Sequence, residues 1–170
     1  MADRAAAAEE ARRALRSFRE ADPAAPELPI DPVRIARTIG INVYSAKLSP
    51  TLSGLVTRLT PRGGTDMYIN STQAPVRQRF TAAHELGHYF AVEAAADGKD
   101  RIFVHRRDEL AGCGTDSEEV FANQFAAELL MPENDVLRLH GAGLGPLELA
   151  QRFNVSLDAM NFRMKDLGLA

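Results

Sequence analysis

The stretch Arg79-Phe80-Thr81-Ala82-Ala83-His84-Glu85-Leu86-Gly87-His88-Tyr89-Phe90 decides how the rest of the chain is read. It lies in a run that Pro75 opens and that continues to about Glu93, which predicts one long helix. On such a helix His84 and His88 stand about 40° apart around the axis and about 6 Å apart along it. Two imidazoles on one face can share a single tetrahedral zinc ion. Glu85 lies about 100° round from His84. That is beside the metal, where a general base takes a proton from an attacking water. The pattern is short enough to arise by coincidence on a charged surface, so its neighbours matter. Phe80, Ala83, Leu86, Gly87 and Phe90 give the helix a core-facing side. Glycine inside a helix costs about 1 kcal/mol relative to alanine. The expected reason for Gly87 is close approach of another backbone or of a third metal ligand.

A catalytic zinc takes three protein ligands and keeps one position open. The remaining histidines are His105 and His140, and the acidic candidates include Asp116, Glu118, Glu119 and Glu128. Ser117 to Met131 reads as a second strong helix, ended by Pro132, with a broad apolar face from Val120, Phe121, Phe125, Ala126, Leu129 and Leu130. Glu119 and Asn123 are four apart on it, so they point the same way. Glu119 as ligand would leave Asn123 to orient a neighbouring ligand. Spacing favours Glu119 over Glu118 without excluding an acidic first turn that serves only the helix dipole.

Outward from these helices, the chain has the bulk of an ordinary globular protein. Its 170 residues are 45% apolar and 25% charged, enough for one compact domain with a real core. A net charge of -3 gives no electrostatic case for nucleic acid, so direct binding to it is not expected. The single cysteine, Cys113, leaves no intrachain disulfide and favours a reducing compartment. It reads as a free thiol rather than a latency switch on the metal. Asp3, Arg4, Glu9, Glu10, Arg12 and Arg13 interrupt the alanine-rich start, which therefore lacks the apolar core of a signal peptide or membrane span. A soluble cytoplasmic protein without a membrane partner is expected.

Residues 1–29 read as a helical arm with a thin apolar stripe, followed by a linker holding Pro23, Pro26 and Pro29; residues 30–170 read as one domain. Asp31-Pro32 is a helix start and Gly40 its stop. Ile41 to Tyr44 is a strand candidate, and Ser53 to Leu59 and Thr65 to Asn70 form a hairpin about Pro61-Arg62-Gly63-Gly64. Ile102 to His105 is extended. Pro132 to Leu139, Pro146 to Phe153 and Leu157 to Leu167 read as further helices, broken by Gly141-Ala142-Gly143.

Both long helices closely resemble the ImmA/IrrE family of bacterial and phage metallopeptidases. Besides residues 79–90, the similarity rests on Glu119-Val120-Phe121-Ala122-Asn123-Gln124-Phe125-Ala126-Ala127-Glu128-Leu129-Leu130-Met131-Pro132. Leu149-Ala150-Gln151-Arg152-Phe153-Asn154-Val155-Ser156 and Arg163 to Leu169 resemble its closing helices, so the likeness spans roughly residues 30–169. The resemblance implies His84, His88 and Glu119 as zinc ligands and Glu85 as the catalytic glutamate. It also implies an α+β, zincin-like fold, with a small antiparallel or mixed sheet on the active-site helix and further C-terminal helices. Members of the family typically cleave helix-turn-helix repressors encoded nearby, which makes a protein of that kind the expected partner.

The expected activity is zinc-dependent endoproteolysis, although two histidines and a carboxylate also accept manganese or iron. The substrate backbone is expected to pair with an exposed edge at Ser53 to Leu59 or Thr65 to Asn70. His105, Arg106 and Tyr89 are candidates for stabilising the oxyanion, with none singled out. Two other functions compete: a non-catalytic repressor-binding module on the same scaffold, and a DNA-binding regulator using residues 147–167. The latter stretch resembles a helix-turn-helix but carries few basic residues and reads as core packing.

Overall fold

A computed structural model describes residues 2–94, 98–108 and 117–169. Asp116 and Cys113, and the side chain of Arg106, lie outside what it describes. The elements follow in the order α1 (Ala2–Ala21), α2 (Pro32–Thr38), β1 (Asn42–Ala46), β2 (Leu52–Arg58), β3 (Asp66–Asn70), α3 (Pro75–Glu93), β4 (Phe103–Asp108), α4 (Ser117–Leu130), α5 (Glu133–Gly141), α6 (Pro146–Phe153) and α7 (Leu157–Asp166). The fold is α+β, as the sequence predicts. No helix among the described residues is long and apolar enough to cross a membrane.

Local signals account for most boundaries. Asp31 caps α2 by accepting hydrogen bonds from the amides of Val33 and Arg34 at 2.9 and 3.2 Å. Gly40 follows α2 with φ 85°, a conformation that glycine adopts without a Cβ clash. Between α6 and α7 the same turn is made by Asn154 at φ 53°, and Ser156 then caps α7 through the Ala159 amide at 3.1 Å.

The strands form one mixed sheet in the order β1-β3-β2-β4. β2 and β3 are antiparallel, as a hairpin requires, and β2 and β4 are also antiparallel. β1 lies parallel to β3, with Asn42 opposite Asp66 and Ala46 opposite Asn70. This order overturns the expected docking strands. β2 has β3 and β4 on its two sides, and β3 has β1 and β2, so neither Ser53–Leu59 nor Thr65–Asn70 offers unpaired backbone. Among the described residues the sheet's edges are β1 and β4.

One face of the sheet presents Val56, Met67, Ile69 and Phe103, all buried, to α3. α4 packs on another side of α3, and α1 lies along α4. The stripe of α1 is thin but fully used: Ala7, Ala11, Ala14, Leu15 and Phe18 are all buried. Alanines let two helix axes come close, so a narrow stripe can dock along most of a helix.

Candidate metal centre

The eight residues Thr81 to His88 are all buried, because α3 is enclosed by the sheet and by α4. Gly87 is where α4 comes closest. A Cβ added there would stand 2.7 Å from Ala122 Cα, so the close backbone approach predicted for this glycine is present. That contact brings the first turns of α4 against the histidine face of α3.

The result is a convergence of three side chains. One ligand atom from each of His84, His88 and Glu119 lies within 4.8 Å of the other two. Nε2 of His84 and Nε2 of His88 are 3.0 Å apart. The Glu119 carboxylate reaches His88 Nε2 at 3.0 Å and His84 Nε2 at 3.4 Å. Burial alone raises the Glu119 carboxyl, but hydrogen bonding and charge from the two imidazoles outweigh it and hold the group well below the usual carboxylate range. Two imidazole nitrogens and an ionised carboxylate oxygen, aimed at one small volume, form a donor set that suits zinc. The three residues therefore fit a bound divalent metal.

Asn123 completes the arrangement as its spacing predicts. Its Oδ1 lies 3.0 Å from His84 Nδ1. An amide oxygen can only accept, so Nδ1 carries a proton and Nε2 is the ring atom turned toward the other two donors. Nδ1 of His88, by contrast, is buried without a hydrogen-bond partner among the described residues. His88 is held instead by its ring, which stacks on His105 at 4.6 Å between centroids and 7° between planes.

Glu85 is fully buried, and its Oε1 would be 3.6 Å from a Cβ added at Gly54 of β2. The same added atom would stand 2.5 Å from Thr81 Cγ2. Gly54 thus leaves room for both side chains one helical turn apart on α3. Gly54 is a site residue that the sequence reading missed, although glycine inside a strand pattern is itself a sign of close approach.

The other candidates separate cleanly. Glu128 is not near the histidines but is buried between arginines. Glu118 is half exposed and lies 4.0 Å from His105 Nδ1. His140 contacts the Leu144 carbonyl at 3.3 Å, in the turn after α5. Tyr89 has the Arg58 guanidinium 5.9 Å over its ring and lines a cleft with Phe90, Glu93, Ile39 and Glu10, which holds none of the three metal residues. His105 is the one oxyanion candidate that the described side chains bring to the site. Burial lowers its pKa, His88 lowers it further, and Glu118 and Glu119 oppose the shift.

Comparison with known proteins identifies the family. The model of the M78 peptidase family, described as an IrrE N-terminal-like domain, matches residues 36–165. The "Radiation response metalloprotease IrrE" of Deinococcus deserti is 34% identical over an alignment 119 positions long, which covers 62% of this chain and 41% of that protein. The protein of the same name from Deinococcus radiodurans is 33% identical over an alignment 103 positions long, which covers 58% of this chain and 30% of that protein. The match thus spans less than half the length of either relative. With a family match that takes in α3, the sheet and α4, the chain belongs to the IrrE N-terminal-like family of M78 peptidases.

Proposed function

We propose that the chain is a zinc-dependent endopeptidase, with His84, His88 and Glu119 as ligands and Glu85 as the catalytic base. The observation that carries this reading is the convergence of those three donors within 4.8 Å, with a buried glutamate next to His84 on α3. Bound there, zinc supplies Lewis-acid activation of water and of the scissile carbonyl. Glu85 accepts the proton of the attacking water and delivers it to the departing amine. Asn123 holds His84 in the tautomer that leaves Nε2 free for the metal, and the His105 stack holds His88. The substrate in this reading is a helix-turn-helix repressor encoded near the gene, which rests on the resemblance of the two helical motifs.

The test is incubation of the zinc-loaded protein with such a repressor, with and without a chelator. Cleavage should occur, stop on chelation, and be lost in Glu85→Gln while that variant keeps its zinc. A zinc-bound Glu85→Gln protein that cleaves as fast as the parent would sink the mechanism. Failure of the parent to cleave the repressor while cleaving another protein would sink only the substrate.

A further inference from the structure

α3 carries two arginines, Arg77 and Arg79, and the chain's own carbonyls occupy only the second. Arg79 donates to the carbonyls of Ile30 at 2.7 Å, Asn154 at 3.1 Å and Phe153 at 3.5 Å, which ties the helix to the segment before α2 and to the end of α6. Arg77 is exposed, and its guanidinium makes one hydrogen bond, from Nη2 to Ser53 Oγ at 3.2 Å. It has no ion pair among the described residues, whereas Arg12, Arg58 and Arg163 all meet carboxylates.

Helical periodicity puts Arg77 in line with the metal donors. His84 is seven residues on and His88 eleven, about 20° to either side of Arg77 around the axis. Thr81 and Glu85 lie about 40° and 80° round, toward Gly54 of β2, and Gly87 about 80° the other way, toward Ala122 of α4. Arg77 therefore stands on the strip of α3 between the sheet and α4, the strip from which both imidazoles rise. Along the axis it is about 10 Å from His84, the length of about three extended residues.

Two further observations bear on a ligand. Thr81, one turn from Arg77 and one from Glu85, is fully buried, and its hydroxyl has no hydrogen-bond partner among the described residues. Buried hydroxyls are nearly always hydrogen-bonded, so this one is available to a peptide group of a bound substrate. Ser53 lies at the register shift between Leu52 and Gly54, an irregularity of the kind that re-aims a side chain beside an active site. Its buried hydroxyl also accepts from Gln73 Nε2 at 3.0 Å, so the group that steadies Arg77 is itself fixed.

We propose that Arg77 is a specificity residue, which binds a carboxylate of the substrate about three residues from the bond that is cut. This rests on the zinc peptidase reading of the neighbouring donors and names a substrate class for it: a peptide with an acidic side chain or a free C-terminus at that distance. A guanidinium held through one nitrogen keeps its other N–H groups for the two oxygens of such a group.

The test uses zinc-loaded protein and short alanine peptides that carry a hydroxamate, which chelates the metal and fixes one end of the probe. The hydroxamate stands at the N-terminus in one series and at the C-terminus in another, and a single glutamate or glutamine moves through the first four positions. In a third series the N-terminal hydroxamates are shortened, so that a bare carboxylate or its amide stands at each position instead. By calorimetry, the third-position carboxylate should bind about tenfold more tightly than its neutral counterpart. The glutamate and shortened series tell a side chain from a chain end. Arg77→Met should lose the preference while keeping its zinc and its affinity for the glutamine probe, and Arg77→Lys should keep part of it. No charge preference at any position, one greatest next to the hydroxamate, or one that survives in Arg77→Met overturns the proposal. Zinc content separates the two readings. Bound zinc and hydroxamate without the preference sink the subsite alone, and a protein that takes up no zinc sinks the metal centre and the subsite with it.

Discussion

Glu119 and Glu128 stand near opposite ends of α4, about 14 Å apart along the axis, and they are answered in opposite ways. Glu128 is 2% exposed and lies between two guanidiniums. Arg12 Nε of α1 donates to its Oε1 at 3.0 Å, and Arg163 Nη2 of α7 donates to its Oε2. Arg163 also donates to the Met131 carbonyl at 3.0 Å, and Arg12 to Glu133 at 3.1 Å. Arginine stays protonated at any ordinary pH, so this cluster is electrically closed by the chain itself. Glu119 meets imidazoles, which are ligands when neutral and hold no fixed charge. A carboxylate facing fixed cations is structural; one facing two convergent imidazole nitrogens is fitted to a cation from outside.

The largest effect that would test this contrast is at the closed end. Glu128→Ala leaves buried Arg163 with only the more distant Asp166, at 3.8 Å, as counter-charge, and urea unfolding should show a loss of about 3 kcal/mol. A loss no greater than that of an exposed salt bridge would mean that the seam is better hydrated than its burial shows. At the open end, zinc at one hundred times its dissociation constant should stabilise the parent by about 2.7 kcal/mol. His88→Ala should abolish that gain in a thermal unfolding scan. The gain should fade as the pH falls, because protons compete with the metal for the imidazoles. Next, Asn123→Ala should weaken zinc binding by about 10- to 100-fold, measured by competition with a chelator of known affinity, with the fold intact. Smaller again, Gly87→Ala pits a helix-propensity gain of about 1 kcal/mol against a Cβ 2.7 Å from Ala122 Cα. Overpacking costs about 1–3 kcal/mol, so the variant should be slightly less stable than the parent.

The open end of α4 was legible in the sequence, and the closed end was not. His84, Glu85 and His88 are bound into one helix by spacing, and Glu119 and Asn123 into another, so local geometry and the family resemblance together reach the whole donor set. Glu128 looked like one more acidic candidate for the metal. Its real partners sit 116 and 35 residues away, beyond the reach of any helical period. The sheet divides in the same way. The β2–β3 hairpin follows from its turn residues, but the insertion of β3 between β1 and β2, and the addition of β4 outside β2, are long-range choices. Those choices pair both hairpin strands on either side, so neither is the exposed edge expected of it.

The Glu128 seam also bears on the order of events as the protein folds. α4 is pinned at one end by a residue from the beginning of the chain and by another from near its end. Contacts of such wide separation form late, because the intervening loops must close before they return any energy. α4 also carries Glu119, so the third donor reaches the histidines only once α4 has docked on α3 through Ala122 and Gly87. His84 and His88, one turn apart, are in place as soon as α3 is. Metal capture should therefore be among the last steps of folding, and in a refolding experiment zinc uptake should trail the recovery of helix.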